Sequence, residues 1–266
     1  MRAAVIERQA GAPASQARLV ARDVSLAFGG VAALRKATLA IAPSLITGIV
    51  GPNGAGKSTL FNVLAGTLKP DQGQVLFGGE DITGLAVHRR ARRGIARTFQ
   101  LSRELDSLTV LENLLLAAPD HPGDAMRSVF FGRGKVRRAE AQASERAVAL
   151  LDRVRLIRLL DEPAGSLSGG QKKLLELCRA LMRDPEVILL DEPAAGVNPA
   201  LIDELVDFIR TLRQEGMTFA IVEHNMEMIA ALCDTVYVLA EGTVLTQGSF
   251  ADVTADPRVQ QAYLGG

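Results

Sequence analysis

Regular patterning in the chain begins at Leu19. Leu19–Phe28 alternates apolar and polar positions as a strand with one buried face does, and Thr38–Ile41 reads as its neighbour. From Leu45 the character changes to short, continuous apolar runs: Leu45–Val50, Val187–Leu190, Thr218–Val222 and Val236–Leu239. Ile95–Phe99 reads as a further strand. Helical periodicity fills the intervals, in the run after Ser58, in Leu174–Arg183, in Pro199–Glu215 with proline in its first turn, and in Met226–Leu232. Unalternating strands separated by helices predict an α/β protein whose mainly parallel core sheet is covered on both faces. Glycine and proline punctuate the rest: Lys69–Gly73 is a turn, Gln74–Phe77 a short strand, and Gly78-Gly79 a second turn. One block breaks the alternation. Between about 101 and 170 the pattern predicts helices only, Leu111–Ala118 and Ala139–Leu151, and this is read as an inserted α-helical subdomain.

The run Leu45–Val50 opens onto Gly51-Pro52-Asn53-Gly54-Ala55-Gly56-Lys57-Ser58-Thr59, and a helical stretch follows. This is the P-loop pattern in its required strand-to-helix context. Gly51, Gly54 and Gly56 let the backbone curl until successive N–H groups face one anion, and the helix start adds its positive dipole end. Lys57 supplies a point charge for the β- and γ-phosphates, and the Ser58 hydroxyl offers a ligand for Mg²⁺. The chain is therefore expected to bind a nucleoside triphosphate.

Val187–Leu190 ends in Asp191-Glu192, so a buried strand delivers two carboxylates to the sheet edge where ligands of doubly wound folds sit. Asp191 can hold the metal, directly or through water, and Glu192 can orient and polarise an attacking water. Leu159-Leu160-Asp161-Glu162-Pro163 repeats the same letters, but Arg155 and Arg158 upstream argue against a buried strand. That copy is expected in a loop at the end of the helical block, without a catalytic role. Ser168-Gly169-Gly170-Gln171 combines a hydroxyl, free N–H groups and a helix dipole, a second anion site. One nucleotide needs only one phosphate cradle per subunit. Two subunits head to tail, with each triphosphate between Lys57 of one and Ser168 of the other, account for both.

Composition narrows the partners. Of 266 residues 48% are hydrophobic, and 30 Lys+Arg balance 30 Asp+Glu. A formal charge of zero gives no broad electrostatic drive toward nucleic acid or an anionic membrane. The uncharged run Ala37–Gly56 is broken by Pro43, Gly48 and Pro52, so no membrane span is expected and any membrane role is assigned to a partner. Met1–Arg18 has too short an apolar patch for a secretory signal and is read as a flexible tail. Cys178 and Cys233 read as small apolar residues in a reducing compartment rather than as a disulfide. His88–Arg93 reads as a solvated basic helix face or a surface for an acidic partner. Phe28, at a strand end before Gly29-Gly30, is either core or a base-stacking aromatic. His88 and His121 carry no signal of a role.

Together the P-loop, Gln100, the Leu167-Ser168-Gly169-Gly170-Gln171 signature, the Asp191-Glu192 pair and His224 resemble the ATP-binding subunits of ABC transporters over nearly the whole chain beyond residue 18. Ala96–Gln100, Asp191–Pro199, Glu223–Met226 and Gln261–Gly265 resemble more narrowly the larger ATPase type of the branched-chain amino acid importers. The resemblance implies a P-loop NTPase fold over 19–266 with an N-terminal antiparallel β part. It implies ATP and Mg²⁺ as cofactors, Phe28 stacking on adenine, and Gln100 sensing Mg²⁺ and the γ-phosphate while coupling to the helical block. It further implies Ala195–Asn198 linking the two composite sites and His224 contacting the γ-phosphate. Asn198 and Asn225 stand where Asp is common in such chains. The implied partners are an identical or related second ATPase, membrane permease subunits and, indirectly, a periplasmic or extracellular substrate-binding protein, with no nucleic acid. The chain is then expected on the cytoplasmic face of the inner membrane, held there by permease subunits. Urea or amide importers, lipopolysaccharide exporters and soluble ABC ATPases outside transport are the alternatives.

Overall fold

A computed structural model describes residues 17–98, 105–119 and 133–264. Among these, the residues up to Arg97, Glu186–Ala195 and those from Val206 onward form one compact unit, and Thr98–Pro185 with Gly196–Leu205 form a second. The strands are β1 (Leu19–Phe28), β2 (Val31–Ile41), β3 (Ile46–Val50), β4 (Gln72–Phe77), β5 (Glu80–Asp81), β6 (Ile95–Arg97), β7 (Val187–Asp191), β8 (Thr218–Val222), β9 (Thr235–Ala240) and β10 (Thr243–Gly248). The helices are α1 (Lys57–Ala65), α2 (Val87–Arg92), α3 (Val110–Ala117), α4 (Arg133–Arg153), α5 (Gly169–Leu181), α6 (Pro199–Gln214), α7 (Met226–Leu232), α8 (Phe250–Ala255) and α9 (Pro257–Leu264).

All ten strands belong to the first unit, in two sheets. One is antiparallel in the order β2-β1-β4-β5. The other runs β10-β9-β3-β8-β7-β6; its five strands from β9 to β6 are parallel, and β10 pairs antiparallel with β9 at the edge. Every residue of β3 is buried because both faces of its sheet are covered. On one face Ile49 joins a core with Leu60, Phe61 and Leu64 of α1 and Leu19, Leu34 and Leu39 of the antiparallel sheet. On the other, Val50, Val236 and Val238 meet Ile229 of α7, Val253 of α8 and Val259 of α9.

Three features depart from the sequence pattern. First, β2 starts at Val31, not Thr38. Gly29 and Gly30 take positive φ (53° and 88°) and make a two-residue hairpin turn pairing Phe28 with Val31. Val31 at 72% exposure hides the alternation that marks a strand. Second, β10 is half-buried along its whole length, so no period shows, and Glu241-Gly242 (φ 49° and 78°) closes its hairpin with β9. Third, the basic run is not a uniformly solvated face. Arg90 is 1% exposed, and its guanidinium donates to the carbonyls of Val63 (2.7 Å), Leu64 (2.8 Å), Leu85 (3.0 Å) and Thr83 (3.1 Å). At the end of α1 it thereby supplies a donor to the Leu64 carbonyl and a second one to that of Val63, which also accepts from the Gly66 amide (3.1 Å). Its neighbours Arg89, Arg92 and Arg93 are exposed.

Of the expected tail, only Ala17 and Arg18 lie within the described residues. Ala17 is buried, and Arg18 is tied down: its amide donates to the Ile41 carbonyl (2.8 Å), and its side chain covers the Phe77 ring and pairs with Glu186. In the second unit α3, α4 and α5 pack on one another, and Leu114, Leu150, Leu151, Leu174 and Cys178 are buried there. Thr109 and Glu112 form a capping box at the start of α3. The repeated Asp161-Glu162 lies there in exposed irregular backbone after a short 3₁₀ turn. Cys178 is buried and Cys233 half-buried; both are free thiols that burial pushes up to about 12.

Candidate active site

The P-loop joins β3 to α1, and its glycines have steric reasons. A Cβ on Gly51 would lie 2.1 Å from the Leu239 carbonyl oxygen, and one on Gly56 (φ +95°) would lie 2.5 Å from that of Ala33. Only glycine lets the loop sit this close to β9 and to the β1–β2 hairpin. Phe28, at the tip of that hairpin, is 50% exposed, which removes the core alternative for this residue. The N-cap of α1 is Gly56 in the left-handed conformation, with no side chain closing the helix start. Ser58 is exposed and Thr59 half-buried. Lys57 is buried, and its ammonium donates to the carbonyls of Gly51 (2.8 Å) and Pro52 (2.9 Å). Burial lowers its pKa, and the charge of Glu192 opposes that shift.

Asp191 ends β7, and its carboxylate accepts from Arg97 at 2.7 Å. The same guanidinium donates to Asn62 on α1 at 2.6 Å. Asn62 and Ser58 are one turn apart on one helix face, so Arg97 links that face of α1 to Asp191. Glu192 has φ +47°, an uncommon conformation for a residue with a side chain and one that clusters at functional sites. Its amide donates to the Val222 carbonyl (2.9 Å), and its carboxylate lies 3.2 Å from His224 Nε2. Asn225, where Asp was expected, caps α7 by accepting from the Met228 amide at 2.9 Å. Asn and Asp serve about equally well as caps, so the exchange leaves the local fold unchanged.

Phe28, Gly51–Thr59, Asp191, Glu192 and His224 thus belong to the first unit, whereas Ser168–Gln171 belong to the second. There Ser168 and Gln171 form a capping box on α5: the Ser168 amide donates to Gln171 Oε1 (2.9 Å), and the Gln171 amide donates to Ser168 Oγ (3.4 Å). A Cβ on Gly170 would meet the Leu201 side chain at 2.6 Å, and one on Gly169 would lie 3.0 Å from the Gly196 carbonyl. Gln100 lies outside the described residues.

Sequence reasoning gave no individual role to three residues of this region. Arg97 and Glu223 stood only within longer quoted runs; Glu223 is 4% exposed beside His224. Tyr263 of α9 makes a hydrogen bond with the Gly51 backbone, and burial raises its phenol pKa. The available signal for Arg97 and Glu223 was a charge inside or directly after a short apolar strand.

A glycine cradle, a buried lysine at a helix start and a carboxylate pair at a parallel sheet edge define a P-loop nucleotide-binding protein. Comparison with known proteins makes this narrower. The family model described as ABC transporter matches residues 34–195, and that described as Branched-chain amino acid ATP-binding cassette transporter matches residues 243–266. The probable branched-chain amino acid transport ATP-binding protein LivG of Archaeoglobus fulgidus is 38% identical over 247 residues, 93% of this chain and 95% of the relative. The high-affinity branched-chain amino acid transport ATP-binding protein BraF of Pseudomonas aeruginosa is 37% identical over 243 residues, 91% of this chain and 95% of the relative. LivG of Escherichia coli K12 is 36% identical over 252 residues, 94% and 99% of the two chains. Among solved structures, a nucleotide-free ATP-binding cassette from an ABC transporter superposes with a TM-score of 0.82 at 37% identity, covering 94% of this chain and 100% of its own. The ADP conformation of MJ1267, an ATP-binding cassette of an ABC transporter, gives the same TM-score and identity over 94% and 99%. The chain belongs to the ABC transporter family of ATP-binding proteins, ATPases coupled to transport.

Proposed function

We infer that this chain hydrolyses ATP as one of two head-to-tail ATPase subunits that energise the import of branched-chain or related hydrophobic amino acids through membrane permeases. The cargo reading is supported by the names of the relatives and by the match of residues 243–266 to the branched-chain family model. No helix among the described residues is long and apolar enough to cross a membrane, so the proposal assigns the membrane-spanning path to permease subunits. It puts the ATPase at their cytoplasmic face, with a periplasmic or extracellular binding protein delivering cargo.

The observation that carries the hydrolytic mechanism is the Glu192–His224 contact of 3.2 Å at the carboxyl edge of the parallel sheet. In the proposed reaction Phe28 stacks on adenine, and the P-loop amides with Lys57 hold the β- and γ-phosphates. Glu192 accepts the proton of a water that attacks the γ-phosphorus, the bond to the β-phosphate oxygen breaks, and that oxygen keeps the electron pair as ADP leaves. His224, with Gln100, contacts the γ-phosphate and keeps the water in line. The exposed Ser58 hydroxyl and the Asp191 carboxylate are oxygen donors of the kind Mg²⁺ takes, and they would hold it there. The ion would neutralise charge developing on the phosphate oxygens. Ser168 of the opposing subunit closes the site over the γ-phosphate, and opening and closing of the pair drives the permease.

Glu192→Gln is the test. This variant is expected to bind ATP and to dimerise while its turnover falls about 100-fold or more. Undiminished hydrolysis would remove Glu192 as the base.

A further inference from the structure

Glu223 follows β8 and is 4% exposed. A carboxylate this deep is costly unless its oxygens are hydrogen-bonded. Here they take three backbone donors. Oε1 accepts from the Ala194 amide at 2.6 Å, and Oε2 accepts from the amides of His224 (2.7 Å) and Asn225 (2.9 Å). These donors come from two different segments: the one that leaves β7 just after Glu192, and the one that leaves β8 with His224. One buried carboxylate therefore bridges the backbone carrying both proposed reacting side chains. Two further bonds complete the joint, from the Glu192 amide to Val222 (2.9 Å) and from the Ala195 amide to Glu192 (3.0 Å).

The contact between Glu192 and His224 does not hold itself. Their side chains are 44% and 48% exposed, and a polar contact so open to water is worth little. Charge-assisted bonds from a buried carboxylate to amides are about twice as strong as neutral ones. The geometry of the pair is thus set beneath it, in the backbone, with Glu192 kept in its left-handed turn.

We propose that Glu223 is a positioning residue for hydrolysis, clamping the segments after β7 and β8 so that Glu192 and His224 meet at a fixed separation. The proposal rests on the functional reading above. The hydrogen bonds of the Glu223 carboxylate go to Ala194, His224 and Asn225 rather than to the P-loop, so its loss is expected to act on turnover and leave nucleotide capture alone.

The experiment compares the full chain with Glu223→Gln, which keeps the shape but turns an NH₂ toward a backbone N–H. Wild-type turnover is measured first; if the wild type hydrolyses no ATP, the functional reading fails before the clamp is tested. Given wild-type turnover, kcat is expected to fall about 10- to 100-fold, as for a misplacement of order 1 Å, while KM for ATP stays within about twofold. In a His224→Ala background the same exchange is expected to change kcat by less than about twofold, since the Glu192–His224 separation that the clamp fixes no longer exists. Unchanged kcat overturns the proposal, and so does an equally large effect with and without His224, which marks general damage. If Glu223→Gln does not fold, Glu223→Asp, which keeps the charge but is too short to span both segments, takes the same measurements. If neither folds, Glu223 is a core staple and the proposal is wrong.

Discussion

Two helices of this chain begin at a glycine-rich segment and differ in how the start is finished. At α1 the cap is a left-handed glycine with no side chain closing it, so the first amides are left to whatever the loop encloses. At α5 the reciprocal Ser168–Gln171 box satisfies two of the orphan groups from within. The first arrangement needs an anion to complete it. The second is complete as a helix start, yet a serine hydroxyl that accepts from an amide still has its own proton to donate outward. The open start is thus suited to holding a triphosphate, and the closed one to touching a phosphate already held. Their far ends also differ: α1 is anchored by the buried guanidinium of Arg90, whereas α5 ends in an ordinary backbone cap at Met182.

The largest effect expected from this contrast is at Lys57. Lys57→Ala should weaken ATP binding about 100-fold or more, because the open start loses its buried lysine ammonium; titration with a fluorescent ATP analogue checks this. Next comes Arg90→Met, which removes a guanidinium that is 1% exposed and donates to four carbonyls, of which that of Val63 keeps a backbone donor, the Gly66 amide. It is expected to cost about 3 kcal/mol, lowering the calorimetric melting temperature by roughly 10 °C. Ser168→Ala should lower hydrolysis about tenfold while nucleotide affinity of the dilute chain stays within about twofold, and losing the cap should cost about 1 kcal/mol in thermal unfolding. Equal loss of affinity and turnover would mean that Ser168 acts within its own subunit. The smallest effect is expected at Asn225→Asp, where one capping oxygen replaces another and the melting temperature should move by less than about 2 °C.

Much of this was legible in the chain. β8 and α7 were bounded correctly by their apolar runs, and the β3–P-loop–α1 unit by its glycines, because strands buried on both faces carry no charged residue to blur the pattern. Asp191 and Asp161 share the same neighbouring letters, and the upstream arginines alone separated a strand end from irregular backbone. The role of Arg90 was not legible, and Glu223 showed only as a charge directly after an apolar strand. Their partners are backbone carbonyls and amides, near ones together with distant ones such as Ala194, Val63 and Leu64, and such groups leave no mark in the side-chain sequence. The half-buried β10 and the two C-terminal helices were missed because neither period stands out there.

A site shared between two copies makes turnover depend on concentration, and the direct measurement is ATPase rate per mole of chain across a dilution series, with nucleotide binding followed in parallel. Rate per mole that falls toward zero on dilution, while each chain still binds ATP, is the predicted result. Constant rate per mole down to concentrations at which sedimentation detects monomers alone would contradict it.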